Sequence, residues 1–237
     1  MREVFERIIV GVDGSGVSED AVTVAARLAR DHRGELLLLH AVDWVPAVNA
    51  MTASQAITNA QPLMDALQRD GNDALRRAER IAQRFGVRAK RHMVDGSPVR
   101  ELLSVAQSTA STLVVAGTHG RQGISRVMLG STAEAVLRAS PLPVLAVRTL
   151  PRHGPQRRCI TRALVAVDES ATAQAALDLA YALPADDRER LFVCSVSDGR
   201  EESDRRAGDV IARAIARAEE LGLAAKGAVL RARHPEQ

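Results

Sequence analysis

The stretch Val114-Val115-Ala116-Gly117-Thr118-His119-Gly120 is followed, after nine residues, by Gly130-Ser131-Thr132. A short apolar run that ends at glycine predicts a buried strand. The second stretch opens an apolar-periodic segment that stops before Pro141, which predicts a helix with hydroxyls in its first turn. Glycine allows the backbone to approach another group closely because it has no Cβ. A strand, a glycine-rich loop and a helix start together predict a cradle in which backbone N–H groups face a phosphate.

The spacing of these glycines differs from the two common phosphate-binding loops. No Gly-Lys-Ser/Thr follows, as in a Walker A loop, and no Gly-x-Gly-x-x-Gly fingerprint is present. Gly-x-x-Gly, nine residues and then Gly-Ser/Thr closely resembles the nucleotide loop of the universal stress protein family. The structural alternative is that these glycines only shape a turn.

The composition suits helices packed on a parallel sheet. Apolar residues make up 46% of the 237 residues and aromatic residues only 2%, so the core consists of Ala, Val, Leu and Ile. The net charge is +3 and spread along the chain, without basic and aromatic residues interleaved. This composition does not favour nucleic acid as a partner.

The cysteines and the N-terminus indicate the cellular compartment. Cys159 and Cys194 have no metal-binding or redox spacing, which predicts free thiols in a reducing compartment. The apolar run near the N-terminus is too short for a signal peptide, and no segment approaches the length of a membrane span. We therefore expect a cytoplasmic protein that does not associate with membranes.

Apolar periodicity predicts five strands that alternate with four helices in the first part of the chain, which is a doubly wound α/β domain. Residues 43–61 are irregular and predict a long, mobile connection. The predicted strands are 8–12, 36–42, 87–94, 113–116 and 143–147, and the predicted helices begin at Ser18, Pro62, Pro98 and Ser131 or Thr132. Strand 87–94 is the most polar, which predicts an edge position.

Periodicity does not give the strand order, but the family resemblance implies the order 3-2-1-4-5. The direction of winding then reverses between strands 1 and 4. Open α/β sheets bind ligands at the carboxyl ends of the strands beside such a switch point. Here those ends are Asp13-Gly14-Ser15 and Gly117–Gly120, so two glycine-rich polar loops are expected to meet.

The pattern of the first domain begins again near residue 160. Residues 163–170 echo residues 8–15, and Asp168 matches Asp13. This internal repeat stops before the equivalents of strand 4, the glycine loop and strand 5. The predicted organisation is a nucleotide-binding domain at 1–149, a linker at 150–159 and a partial second repeat at 160–237 that lacks the glycine loop.

The resemblance covers residues 7–148 as a complete unit and implies ATP as the ligand, with any Mg²⁺ held mainly by its phosphates. It implies that adenine and ribose lie against Val12, Asp13 and Ala41. It implies that ribose and phosphates lie against Ala116, Gly117, Gly120, Gly130, Ser131 and Thr132. Independently of the resemblance, the guanidinium of Arg121 follows the loop and could reach a phosphate, or could simply be solvated. Asp13 could instead cap its own loop.

Catalytic machinery is not evident in the sequence. His40 lies in an apolar strand, as a core histidine does, and His119 lies in the glycine loop. We find no nucleophile–base pair, carboxylate dyad or zinc spacing, and phosphoryl transfer needs a metal-binding carboxylate and a positioned base. The sequence favours an ATP-binding regulatory or stress-response module that forms a homodimer or larger assembly through exposed sheet edges and acts on a regulatory protein partner. A slow Mg-dependent ATPase, an adenylate-forming enzyme on a related fold and a nucleotide-free scaffold are the alternatives.

Overall fold

The computed structural model describes residues 2–45, 53–118, 130–149, 160, 162–183 and 191–232. The chain divides after residue 157 into two compact units, and its strands form two separate sheets. No helix in these ranges is long and apolar enough to cross a membrane.

The first unit is built on a five-stranded parallel sheet in the order β3-β2-β1-β4-β5, which confirms the expected order. The strands are β1 Arg7–Gly11, β2 Glu35–Val42, β3 Ala89–Asp95, β4 Leu113–Gly117 and β5 Val144–Val147. The helices are α1 Gly16–His32, α2 Ala53–Arg84, α3 Pro98–Ser108 and α4 Ser131–Ala139. A short 3₁₀ helix, Arg2–Phe5, precedes β1.

The middle of this sheet is buried on both faces, as its unbroken apolar runs predict. Ile8, Ile9 and Val10 of β1 have no exposed surface, and neither have Val114 and Val115 of β4. At the edge, β3 is largely exposed, which confirms the prediction made from its polar residues. The buried centre therefore holds the ends of β1 and β4 in fixed positions.

The prediction that α1 begins at Ser18 is wrong. The N-cap is Ser15, which has an extended backbone and whose Oγ accepts the N–H of Ser18 at 3.2 Å. Both serines are good capping residues, but the side chain of Asp13 accepts the N–H of Ser15 and turns the chain into the helix earlier. At the other end, Arg33 adopts a left-handed conformation with φ 58° and ends the helix.

The predicted start of α2 at Pro62 is also wrong, and the irregular connection is correspondingly shorter. The helix begins at Ala53, and Pro62 lies inside it. Proline usually starts a helix because it lacks the N–H that an interior position needs, yet residues 53–61 contain no glycine or proline to stop the helix earlier. Gly86, with φ 70°, lies two residues after the end of the helix.

The second unit repeats the first three strands and their helices. It contains β6 Ala163–Ala166, α5 Ala171–Ala182, β7 Leu191–Ser197, α6 Glu201–Glu220 and β8 Ala225–Arg231. Its sheet is parallel, in the order β6-β7-β8. Its core includes Val165, Val193, Leu177 and Ile211, and Tyr181 donates a hydrogen bond to the carbonyl of Ala214 at 2.7 Å. Residues 233–237 lie outside the described residues.

Candidate functional site

The carboxyl ends of β1 and β4 lie side by side at the switch point of the first sheet. The register pairs Ile8 with Leu113 and Val10 with Val115 in parallel. The loops that begin at Asp13 and Gly117 therefore leave neighbouring strands at the same end of the sheet. The two polar loops therefore begin next to each other, as the sequence predicted.

Asp13 forms a tight turn at the end of β1. Its Oδ1 accepts the N–H of Ser15 at 2.9 Å, so the carboxylate does cap its own loop, which was the structural alternative. Asp168 makes the same turn in the second unit, where its Oδ1 accepts the N–H of Ser170 at 2.8 Å. The turn is thus a feature of both units, with or without a glycine loop.

Gly117 allows β4 to end directly against the first turn of α1. A Cβ at this position would lie 3.1 Å from the carbonyl carbon and from Cγ1 of Val17, and 3.2 Å from the nitrogen of Ser18. Few real contacts are this short, so a side chain here would push the strand and the helix apart. The glycine is therefore explained by packing as well as by the expected approach to a ligand.

One backbone hydrogen bond joins the two ends of the glycine loop, and a second ties the start of the loop to β5. Thr118 donates its N–H to the carbonyl of Val147 at 2.8 Å, and its own carbonyl accepts the N–H of Gly130 at 2.7 Å. Thr118 is buried. The end of β4 and the start of α4 are thereby held together, although they are twelve residues apart in the sequence. Residues 119–129, which include His119, Gly120 and Arg121, lie outside the described residues.

The N-terminus of α4 presents its first turn without a side-chain cap. Gly130 is the N-cap residue and has no side chain, while Ser131 and Thr132 are exposed. The helix starts as predicted, and its first N–H groups, together with two hydroxyls, form the type of site that binds anions. The carboxylate of Glu134 in this turn is paired with Arg138 at 3.0 Å, which offsets its charge.

The end of β2 supplies the third wall of the site. Pairing between β1 and β2 ends at Gly11 and Leu39, whereas β2 continues beside β3 through Val42, so Ala41 extends past the end of β1. His40 is buried, as predicted, and its Nδ1 lies 2.7 Å from the carbonyl oxygen of Val12. Sequence reasoning missed this bond; the only signal was a polar residue inside an apolar strand.

A cavity of about 620 Å³ lies beyond Ala41, where β2 and β3 end. It is lined by Asp43, Trp44, Val45, Asp95, Gly96, Ser97 and Arg100. Trp44 is the only tryptophan of the chain and is exposed. The sequence did not predict this cavity, because its lining comes from two segments far apart in the chain.

The second unit also has a cavity at the carboxyl end of its sheet. A cavity of about 350 Å³ there is lined by Asp168, Glu169, Ser195, Val196, Asp198, Arg200, Glu202, Ser203, Arg206, Ala207 and Val210. Arg200 is paired with Asp198 at 3.4 Å, and Arg206 is paired with Glu202. Hydrogen bonds from Ser170 lower the pKa of Asp168 below its ordinary value. With both arginines paired, Asp168 and Glu169 leave this cavity acidic.

Within the described ranges, no group of three or more His, Cys, Asp or Glu side chains is placed to hold a metal ion. The arrangement in the first unit consists of backbone donors, hydroxyls and one carboxylate around the end of a parallel sheet. This defines a doubly wound α/β protein whose switch point carries the type of helix start that binds anions.

The family model described as the universal stress protein family matches residues 5–148, and the chain belongs to that family. A universal stress protein of Methanocaldococcus jannaschii is 31% identical over 144 residues, which span 61% of this chain and 82% of that protein. One of Mycobacterium tuberculosis is 37% identical over 147 residues, which span 60% of this chain and 45% of that protein. A universal stress protein structure from Archaeoglobus fulgidus has the same fold, with a TM-score of 0.70 and 19% identity, covering 96% of this chain and 78% of that one.

Proposed function

We propose that this universal stress protein binds ATP at the switch point of its first unit and serves as a nucleotide-dependent regulatory module in the cytoplasm. The observation that carries the proposal is the first turn of α4, which has no side-chain cap and is tied to β4 through Thr118 and Gly130. Backbone donors at a helix N-terminus attract phosphate through hydrogen bonds and the helix dipole.

The residues around this turn suit the parts of a nucleotide. Val12, Asp13 and Ala41 line the side of the site formed by β1 and β2, where adenine and ribose would lie. Gly130, Ser131 and Thr132 would hold the phosphates, together with Ala116 and Gly117 at the end of β4. Gly120 and Arg121 would complete the phosphate side. Any Mg²⁺ would be held mainly by the phosphates.

Mass spectrometry of nucleotide released from the purified, denatured chain tests this proposal. We expect ATP in the released fraction, and rebinding of ATP to the nucleotide-free protein in calorimetry. If neither is observed, the protein is a nucleotide-free scaffold and the proposal is wrong.

A second measurement separates a regulatory module from an enzyme. A phosphoryl-transfer enzyme needs a positioned base beside the phosphates, and the sequence shows no evident candidate. We therefore expect the chain to retain ATP unhydrolysed over hours in saturating Mg²⁺. Steady release of ADP and phosphate would instead identify a slow ATPase. Release of pyrophosphate with an acid substrate would identify an adenylate-forming enzyme.

We also propose that the chain assembles through its sheet edges. β5 is an edge strand of the first sheet, and β6 is an edge strand of the second. Unpaired strand edges favour pairing with another chain. Light scattering at micromolar concentration should give a dimer or a larger species, and a charged residue at Leu145 of β5 should weaken an assembly that uses that edge. We further propose that the ATP-binding module acts on a regulatory protein partner.

A further inference from the structure

The side chain of His40 takes the place of a backbone donor where the pairing between β1 and β2 stops. The N–H of Val12 bonds to the carbonyl of Leu39 at 2.8 Å. In a parallel ladder, the carbonyl of Val12 would next accept the N–H of Ala41, two residues further along β2. Within the described ranges no such bond is present, and the carbonyl oxygen of Val12 lies 2.7 Å from Nδ1 of His40. A carbonyl oxygen only accepts hydrogen bonds, so Nδ1 carries the proton and donates it.

The backbone of Ala41 faces the side of β2 on which β1 ends. Residues of a central strand in a parallel sheet bond alternately to the two neighbouring strands. In β2, Glu35 and Leu39 bond to the segment of β1, whereas Leu36 and Val42 bond to the segment of β3. Ala41 follows the pattern of Glu35 and Leu39. Its N–H and its carbonyl are therefore directed past the end of β1, toward the switch point.

The ring of His40 keeps its position because residue 71 is glycine. A Cβ at Gly71 of α2 would lie 2.5 Å from Cδ2 and 2.8 Å from Nε2 of His40. Real Cβ contacts are not this short, so a larger residue would displace the ring. His40 on the strand and Gly71 on the helix are therefore a matched pair.

The second unit has a different pair at the same two positions. Counted from the equivalent aspartates Asp13 and Asp168, β6 and β7 pair in the same register as β1 and β2. The helix α6 ends as many residues before β8 as α2 does before β3. The counterparts of the histidine and the glycine are then Ser195 and Ala207, which are both buried. The histidine pair thus belongs to the unit with the proposed nucleotide site, and the other unit replaces it.

We propose that His40 is a positioning residue for the base side of the nucleotide site. By donating to the carbonyl of Val12, the ring ends the pairing of β1 and β2 one bond early and keeps the N–H and carbonyl of Ala41 directed at the ligand. One donor beside one acceptor suits the edge of a nucleobase, which carries both kinds of group. The inference rests on the proposed ATP site and adds a side chain that acts on the ligand through the backbone.

A variant that copies the second unit tests this role with a pair that already packs there. In the nucleotide-free chain, His40→Ser combined with Gly71→Ala should let the N–H of Ala41 bond to the carbonyl of Val12. Hydrogen exchange of this N–H, measured by NMR, should then slow at least ~10-fold relative to the wild type. His40→Asn keeps a donor nitrogen as many bonds from Cα as Nδ1 is, so its Ala41 N–H should exchange at the wild-type rate.

Calorimetry with two probes separates positioning from general packing. In the double variant, the dissociation constant of ATP should rise at least ~10-fold, as expected for the loss of one or two hydrogen bonds. That of inorganic tripolyphosphate, which can use only the phosphate side, should stay within ~2-fold of the wild-type value. His40→Asn should bind both probes as the wild type does. Ser195→Ala in the second unit is the matched control and should change neither affinity.

The outcomes distinguish this inference from the proposed function. Wild-type exchange of the Ala41 N–H in the double variant would overturn the inference, and so would wild-type affinity for ATP. An equal loss of affinity for ATP and tripolyphosphate would also overturn it, because it would assign the ring a purely structural role. Failure of the proposed function appears already in the wild type, as a lack of ATP binding, and would remove the positioning role with it. Failure of the inference alone appears only in variants of a wild type that binds ATP.

Discussion

The imidazole of His40 donates a hydrogen bond from Nδ1 to the carbonyl oxygen of Val12 over 2.7 Å, and both residues are buried. This bond ties β2 to the residue that precedes Asp13 at the end of β1. The other side of the ring lies against Gly71 of α2, where a Cβ would come within 2.5 Å of His40 Cδ2. The position of the Val12 carbonyl therefore depends on the lack of a side chain at residue 71.

The first prediction concerns Gly71→Ala. The added methyl group should displace the His40 ring and break its bond to Val12, which should lower the free energy of unfolding by ~1–3 kcal/mol, as overpacking does. Because Val12 lines the proposed adenine side, ATP affinity should fall several-fold. Urea unfolding and calorimetry measure the two effects.

Gly208→Ala is the matched control for this substitution. Gly208 also lies inside a helix, α6, but nothing lies within 4 Å of its added Cβ. Alanine there should raise the free energy of unfolding by about 0.5–1 kcal/mol and leave ATP affinity unchanged. Unchanged ATP affinity in Gly71→Ala, despite lower stability, would exclude Val12 from the site.

The second prediction concerns the phosphate cradle. Gly130 has φ −65° and ψ 148°, an extended conformation that valine adopts readily, so Gly130→Val should fold. Its branched side chain should occupy the space where phosphate approaches the first turn of α4. We expect a loss of at least ~2 kcal/mol in ATP binding, comparable to losing charge-assisted hydrogen bonds. The same loss is expected for Gly120→Val. Calorimetry that shows wild-type affinity in a folded Gly130→Val would falsify the cradle.

The strands were predictable from sequence, whereas two helix starts were not. Apolar runs bounded by glycine or aspartate locate buried strands within one or two residues. A helix start depends on which of several capping residues bonds the first turn, and Ser15 and Ser18 are both suitable in isolation. The turn that Asp13 makes decides between them. The strand order followed from the family resemblance, because periodicity does not identify which strands are neighbours.

The site was predictable as a meeting of two loops but not in its internal contacts. The bond between Thr118 and Gly130 and the packing of His40 on Gly71 join residues that are distant in sequence. No local pattern encodes such contacts. The sequence likewise predicted exposed sheet edges, but not that Leu164 and Leu230 of the second sheet are exposed, since an apolar run does not show which of its faces is covered.

The third prediction concerns acid stability. Asp204 of α6 accepts hydrogen bonds from the hydroxyl of Ser197 and from Arg231, and these bonds lower the pKa of Asp204 below its ordinary value of 3.8. Because the pKa of Asp204 is lower in the folded state than in the unfolded state, these bonds stabilise the folded protein fully at pH values above 3.8. This stabilisation is lost as the pH falls through the pKa of the folded state.

Unfolding of the full chain as a function of pH tests the role of Asp204. Asp204→Asn should be less stable than the wild type at neutral pH, and the difference should shrink below about pH 4 as the wild-type carboxylate becomes protonated. Asp209→Asn, at an exposed position on the same helix, is the matched control and should follow the wild type throughout. A difference that stays constant down to the acid limit would mean that the ionised form of Asp204 is not what stabilises the unit.

The last prediction is that the two units differ in nucleotide binding although they share one turn. Asp13 and Asp168 make the same hydrogen bond, at 2.9 and 2.8 Å, so alanine at either position removes an equivalent local contact. Among the residues that the structure describes, only the first unit places a helix N-terminus, that of α4, beside the end of its fourth strand. The second presents a cavity whose carboxylates, Asp168, Glu169, Asp198 and Glu202, outnumber its two arginines and would repel phosphate.

We therefore expect one ATP per chain, with binding sharply weakened in Asp13→Ala and unchanged in Asp168→Ala. Titration of both variants, stripped of nucleotide, measures this. Asp168→Ala removes the same hydrogen bond as Asp13→Ala, so it is a control for the loss of the turn itself. If the two variants lose equal stability but only Asp13→Ala loses ATP affinity, the lost affinity is due to a contact between Asp13 and the ligand. Two equivalent sites per chain, or an equal loss of affinity in both variants, would mean that the acidic cavity of the second unit accepts phosphate after all.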